Sequence, residues 1–511
     1  MTQFITSDKS HFNIAKQFKE SFSEPEPATL GYIFIGNHLP YANNDNDIPD
    51  PLNTLFDEKS VWNNMIAAKK ITGNDVEFVI EKRTWVTNRI YRQYDDTVNR
   101  EELLTQNNPL YPMYVVNSSG EVFLCVDNNN SSISTDEPFY STSDIIQTVD
   151  NYVWKYLYEV PALSKFANDD WIPVPSSIEQ IEYYPGTPVD GQILSVVITN
   201  SGNNYVNTSN NKVLAFQKDA TILTVSESQY FANVNVGMQI SGTGILPSTY
   251  ITNKENSNST ITLSTATSAS GGGVGNNISF VTRAIFDGDG ELASANVILN
   301  ISNHIESITI NDYDSQNYTY STVKIYGTGS DASARAILPP KFGHGFNCAK
   351  ELGCSRVMIS LSLEFDDDIP QDISYRQTGI LIDPYKFDSQ NVSTVVTSNN
   401  VIQQTTNITV LGGDSYLPNE FVYQGNIDNP NFSGYVCYQT SNKIFLTEVR
   451  GNLIIGQYMK GTDTNLNGRI AYLKESPYFK FYTGDILFVG NHPKITRTEE
   501  QSEQIKLVVV F

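Results

Sequence analysis

His344, Cys348 and Cys354 are the nearest thing in this sequence to a metal-binding set. Structural zinc takes four nitrogen or sulfur ligands, commonly with cysteines in CxxC-type pairs. These two cysteines are too far apart for such a pair and no fourth ligand adjoins them, so the segment reads as a loop with buried thiols. Gly343-His344-Gly345 then makes a tight turn. Gly237 to Gly244 includes a Ser-Gly-Thr-Gly run that invites comparison with a phosphate loop. It lacks the closing Gly-Lys-Ser/Thr and a following helix, so it reads as a turn between strands. Asp366-Asp367-Asp368 and the run from Asp45 to Asp50 could attract calcium. Neither has the spaced ligands and bend glycine of an EF-hand loop, and both read as solvated loops. Carboxylate pairs for glycoside hydrolysis meet only in a fold, so the sequence leaves them open. It contains no Gly-x-Ser-x-Gly nucleophile elbow.

Arg83, Trp85, Arg89, Tyr91, Arg92 and Tyr94 concentrate positive charge and aromatic rings in one stretch. Such a stretch could stack single-stranded nucleic acid. The chain, however, carries 33 basic against 56 acidic residues, a net charge of −23, and a phosphate backbone is repelled by that surface. Arginine with aromatics also marks protein interfaces. A subunit contact or an internal arginine–carboxylate network is therefore the preferred reading, and no nucleic-acid partner is expected. The acidity itself serves solubility and suppresses premature association.

The elements that must hold these residues read as mostly β. Tyr 29 and Phe 25 are high and the apolar share of 40% suffices for globular folding, so an aromatic-rich sheet protein with many Asn, Ser and Thr turns is implied. A length of 511 residues exceeds one hydrophobic core and calls for several domains. Four cysteines over that length do not make a disulfide framework. The N-terminus lacks the pattern of a secretory signal, and no apolar run of about 18 residues is present, so no membrane insertion is expected. The segment Asn151 to Pro161 places Tyr152, Trp154, Tyr156 and Tyr158 at period two. That spacing gives a strand, and bulk on both faces makes it central or covered. Within residues 1–30 Phe12, Ile14, Ala15 and Phe18 show a helical face that Ser23 to Pro27 breaks, and the spacing predicts a second helix over 57–70 around Trp62, Met65 and Ile66. After Pro175 the composition turns to Ser, Thr, Asn and Gly with short Val/Ile strands. The C-terminal Ile505 to Phe511 is apolar enough to predict a buried strand.

Four ordered stretches resemble a known family. They are Trp62 to Met65 with Lys69; Arg83-Thr84-Trp85 with Arg89-Ile90-Tyr91; Tyr152 to Pro161; and Pro493 to Gln501 leading to Phe511. The chain resembles the baseplate wedge protein of T4-like contractile-tailed phages, the eighth-gene-product family. Gly343-His344-Gly345 and Tyr375-Arg376-Gln377 are similar to blocks of distant versions of it. The resemblance covers about 1–175, 341–394 and 473–511; the β-rich stretches 186–340 and 395–472 depart from it.

The expected fold is mainly β and multidomain: a discontinuous β-rich core domain with a few short helices and inserted small sandwich- or barrel-like domains. The core would run over 1–175, 341–394 and 473–511, with an insert at 186–340, a module at 213–285 nested in it, and a second insert at 395–472. The resemblance implies a structural virion protein of the tail baseplate, assembled in the host cytoplasm, without enzymatic activity, cofactor or metal. It implies a homodimer that joins other wedge proteins, with tail-fibre or peripheral baseplate proteins as further partners. Trp62, Arg83, Trp85, Arg89, Tyr91, Tyr152, Trp154, Tyr156, Tyr158, Arg376 and Phe511 are the candidate interface or signature residues. The competing expectation is a peripheral tail protein whose β-inserts bind host glycans. A glycan hydrolase would rest only on carboxylates that any protein has.

Overall fold

A computed structural model of the chain describes residues 8–23, 29–42, 45, 47–98, 112–176, 184–210, 212–273, 277–387, 400–464 and 468–511. The protein is mainly β, with several sheets, a closed six-stranded barrel and, among the described residues, four short helices. It divides into two compact units, one built of Ile80–Cys354 and the other of Ser10–Val79 with Ser355–Phe511.

In the second unit an antiparallel sheet runs in the order Val401–Gln403, Met65–Lys70, Gly31–Gly36, Ile373–Ile382, Asp485–Arg497. Its middle strand, Gly31–Gly36, is buried along its whole length, as a central strand covered on both faces must be. The helix predicted over 57–70 is shorter: it spans Leu55–Asn64, with Thr54 capping it through a hydrogen bond from the Asp57 amide (3.2 Å). Residues Met65–Lys70 form a strand instead, paired Phe34 to Ala68 and Ile33 to Lys69. Met65, Ile66, Ala67 and Ala68 are all buried, as in a strand whose alternate side chains are covered on both faces of the sheet. Helical spacing at Trp62, Met65 and Ile66 was thus overridden by tertiary packing.

A second sheet in this unit holds Glu503–Val510, Arg356–Leu363 and Val76–Glu81. Helix Asp8–Ser21 packs beside it, with Phe12 stacked on Phe78 (5.5 Å) and Phe18 against Phe511 (5.1 Å). The C-terminal strand is not the buried strand expected. Among the described residues it pairs on one side only, its side chains are half-buried, and Val510 is 64% exposed. A run of valines satisfies an edge as well as a centre, so composition alone could not decide.

The barrel is built of Thr406–Leu411, Lys443–Gly451, Asn429–Gln439, Phe421–Asn426, Tyr458–Gly461 and Arg469–Glu475. Ile408, Val422, Phe432, Val436, Ile444, Leu446 and Met459 fill it. One carboxylate ties its loops. Glu420, 2% exposed, accepts from the amides of Leu417 (2.7 Å), Asp463 (2.9 Å) and Thr464 (2.9 Å) and from the Thr464 hydroxyl (2.6 Å). A side chain at Gly461 would collide with this carboxylate. Burial raises the Glu420 pKa, but the four hydrogen bonds outweigh it and hold the carboxyl below its ordinary value. Glu420→Ala is expected to cost about 2 kcal/mol, the worth of a charged hydrogen-bond acceptor. Because the folded pKa is depressed, the wild-type advantage should be full above the ordinary carboxylate pKa and fade as pH falls through the folded one. Urea unfolding of both proteins at pH 7 and pH 3 checks this.

In the first unit the aromatic strand Val153–Glu159 is central. It pairs with Glu121–Asp127 on one side and with Ile145–Gln147 on the other, and Tyr114–Val116 extends the sheet. A six-stranded sheet follows in the order Ser195–Asn203, Ser330–Ile337, Ser321–Tyr326, Arg283–Gly288, Ser294–Leu299, Ile305–Asp312. Between its first two strands in sequence, Thr208–Val281 forms two three-stranded sheets around a core of Phe216, Leu223, Val234, Met238, Ile261 and Phe280.

Candidate functional site

Period-two spacing sends Tyr152, Trp154 and Tyr156 to one face of their strand, where they meet Tyr91, Phe123, Val115 and Cys125. Tyr91 packs edge-on against Trp154 (5.3 Å) and Tyr152 (6.4 Å), and Tyr152 stacks on Trp154 (5.6 Å). The phenol of Tyr91 donates to the Val86 carbonyl (2.8 Å) and accepts from the Val86 amide (2.6 Å), and Trp85 packs on the cluster. The Tyr152 phenol donates to the Ser132 carbonyl. Burial raises the pKa of Tyr91, Tyr152 and Tyr156, so these phenols stay protonated at neutral pH. Tyr158 is fully buried as well. The cluster is a packing nucleus.

The basic stretch is spent locally. Arg83 pairs with Glu81 (2.9 Å) and lies over the Tyr114 ring (5.8 Å). Arg89 lies in a bridge whose carbonyl takes the Ser134 amide (2.8 Å). Tyr91 and Tyr94 are buried, so their faces offer no platform for bases.

Trp62, Arg376 and Phe511 belong to the other unit and share no site with the nucleus. Trp62 is fully buried among Tyr32, Phe34, Met65, Leu381 and Phe479. Arg376 is buried, grips Asp45 with two hydrogen bonds (2.6 and 2.7 Å), and donates to the His38 carbonyl (2.6 Å). That guanidinium holds the Asp45 carboxyl below its usual range. The run from Asp45 to Asp50 is loop in its described residues, largely exposed, and Asp45 adds a partner 331 positions away in sequence. The Phe511 amide donates to the Ser355 carbonyl (2.9 Å). His38 itself is 1% exposed and has both ring nitrogens engaged, Nδ1 with Asn419 Oδ1 (2.6 Å) and Nε2 with Thr447 Oγ1 (2.6 Å).

Cys348 and Cys354 are buried, as expected, but Cys348–Glu351 is a short helix capped by Asn347. His344 Nδ1 meets Glu351 Oε1 (2.5 Å), whose second oxygen accepts from the Gly345 amide (2.8 Å), and Tyr94 packs edge-on against the imidazole (4.7 Å). Burial pushes the Cys348 thiol well up, so it is no thiolate. Among the described residues no group of three His, Cys, Asp or Glu is placed to hold a metal, and no helix is long and apolar enough to cross a membrane.

The feature that sequence reasoning missed is Lys155. It sits inside the aromatic strand, on the opposite parity from Trp154 and Tyr156, and is 1% exposed. Its Nζ donates to the Thr187 carbonyl (2.8 Å) and lies 3.6 Å from Asp144 Oδ2. Burial lowers its pKa against the opposing pull of Asp144 and Glu351. Lys155 forms part of the lining of a cleft of ≈ 440 Å³, together with Ser143, Asp144, Gln192, Tyr313, Asp314 and Gln316. The one available signal was a lone lysine in an otherwise apolar and aromatic strand. Asp144 and Thr187 lie near it in sequence, but Tyr313, Asp314 and Gln316 come from a loop far along the chain. No protein-family model and no curated protein matches the chain.

Proposed function

We propose that this chain is a structural subunit of the baseplate wedge of a contractile phage tail, working without catalysis. It acts as a homodimer, joins other wedge proteins, and takes part in the rearrangement that triggers sheath contraction. Its place is the tail baseplate of the virion, after assembly in the host cytoplasm.

One observation supports this reading most. The residues that carry the resemblance are scaffold: Trp62 is the buried anchor of one unit, and Tyr91, Tyr152, Trp154 and Tyr156 form the packed nucleus of the other. A signature of this kind specifies a rigid body, which a load-bearing subunit needs and an enzyme's reactive groups do not provide. The mechanism is mechanical. An isologous contact holds the dimer, and polar contacts to neighbours re-form in a second arrangement after triggering.

Light scattering on the purified protein, alone and with the other wedge proteins of the same phage, tests this. A concentration-independent mass of twice 57.0 kDa, growing to a defined larger complex on mixing, is expected. A monomer that ignores those proteins would remove the assignment.

A further inference from the structure

We infer that the cleft above Lys155 binds one unit of a neutral saccharide. The assignment does not depend on the wedge reading. The volume of ≈ 440 Å³ lies in the range of small-molecule sites, roughly 300–1,000 Å³. Two of its polar side chains are more than nine-tenths buried, Lys155 at 1% and Gln192 at 5% exposure. Both are held by carbonyls of residues that line the cleft themselves. Lys155 donates to the Thr187 carbonyl (2.8 Å), and Gln192 Nε2 donates to the Tyr313 carbonyl (2.5 Å). An ammonium carries three protons, and this one is committed to a single hydrogen bond and one longer ion pair, so it retains donor capacity.

The charge balance selects the ligand class. The cleft holds one cation, Lys155, and two carboxylates, Asp144 and Asp314. An anion would face both carboxylates, and a cation would face the buried ammonium. A purely apolar ligand would strip water from the amides and charges without replacing their hydrogen bonds. A ring bearing several hydroxyl groups answers all of them, since each hydroxyl both donates and accepts. Donors come from Lys155 and the amides of Gln192 and Gln316; acceptors come from Asp144, Asp314 and Ser143. Ile145, Val189 and Leu292 supply the apolar surface that the carbon face of such a ring requires.

Asp314 and Gln316 give a clean test. Both stand on the loop after Ile305–Asp312, and among the described residues neither side chain has a hydrogen-bond partner, so their loss should not disturb folding. Saturation-transfer difference NMR on the full chain would use methyl glucoside, methyl galactoside, N-acetylglucosamine and a neutral trisaccharide. Glucuronate and glucosamine are the charged controls. At least one neutral sugar should show saturation, both controls should be weaker, and Asp314→Ala with Gln316→Ala should bind about tenfold more weakly, the loss of one good hydrogen bond. Lys155→Met should abolish the signal; if that variant does not fold, the loop variant decides. Stronger transfer to the trisaccharide than to its monomer assigns a chain end as the ligand, and equal transfer assigns a free sugar. The proposal is overturned if no neutral sugar shows saturation, if a charged control binds best, or if the loop variant binds as wild type.

Discussion

Trp154→Ala should be the most damaging single substitution in the unit built of Ile80–Cys354. The indole is completely buried at the centre of a central strand, with Tyr91 edge-on and Tyr152 stacked against it. Truncation removes its apolar transfer energy and leaves a void that aromatic neighbours, themselves fixed by phenol hydrogen bonds, are poorly placed to fill. The expected cost is about 3–5 kcal/mol. In a unit of this size each kcal/mol moves the midpoint by roughly 2–4 °C, so a fall of about 10 °C is expected. Calorimetry is the measurement, because a chain of two units need not unfold in one step. One transition should fall while another stays; a uniform small shift would mean the nucleus does not carry that unit. Trp154→Phe, which keeps a ring in the slot, should lose much less.

The second large effect is a loss of stability in mild acid that traces to His38. Burial pushes this imidazole down to about 4, and the Arg376 charge adds to the fall, although its hydrogen bond to Asn419 works the other way. In the unfolded chain the same group titrates near 6.5. The folded state therefore holds the neutral ring, and the unfolded chain binds the proton first. Stability is complete above about pH 6.5 and drains as pH falls toward 4, by about 3 kcal/mol at one pKa unit per 1.36 kcal/mol. His492 is depressed by burial too and acts in the same direction. Comparing wild type with His38→Gln isolates the effect. The difference between their unfolding free energies should narrow steadily from pH 6.5 to pH 4; a difference that stays constant would show that the ring is not held neutral. His38 ties the end of strand Gly31–Gly36 to Asn419 and Thr447 of the barrel region, so the acid response should loosen that junction first.

What the sequence disclosed and what it hid follow from range. Tyr152, Trp154 and Tyr156 announce a covered strand because period two is a local property, and the strand is where it should be. The β-rich, many-sheeted architecture follows from the aromatic and turn-rich composition. Leu55–Asn64 and Met65–Lys70 read as one helix in sequence because Trp62, Met65 and Ile66 share a helical face; only the partner strand Gly31–Gly36 separates them. Arg376 and Asp45 each stand out in the sequence, but nothing local joins residues 331 positions apart. Lys155 drew no attention because its meaning lies in Asp144, Gln192 and the loop Tyr313 to Gln316, which only the fold assembles.

The sheet that interleaves Gly31–Gly36 and Met65–Lys70 with Ile373–Ile382 and Asp485–Arg497 has a consequence for synthesis. At about 5–20 residues per second, the ribosome finishes Arg497 roughly 20 to 90 s after Gly36. Through most of that wait Gly31–Gly36 and Met65–Lys70 have only each other to pair with, while the whole of Ile80–Cys354 emerges and can close on its own nucleus. The order of maturation is thus inverted relative to the order of translation: the middle of the chain settles first and the beginning last. Until the final strands arrive, the newborn chain shows the cell an unsatisfied apolar edge, and it is during this interval that a holding chaperone would have its work to do.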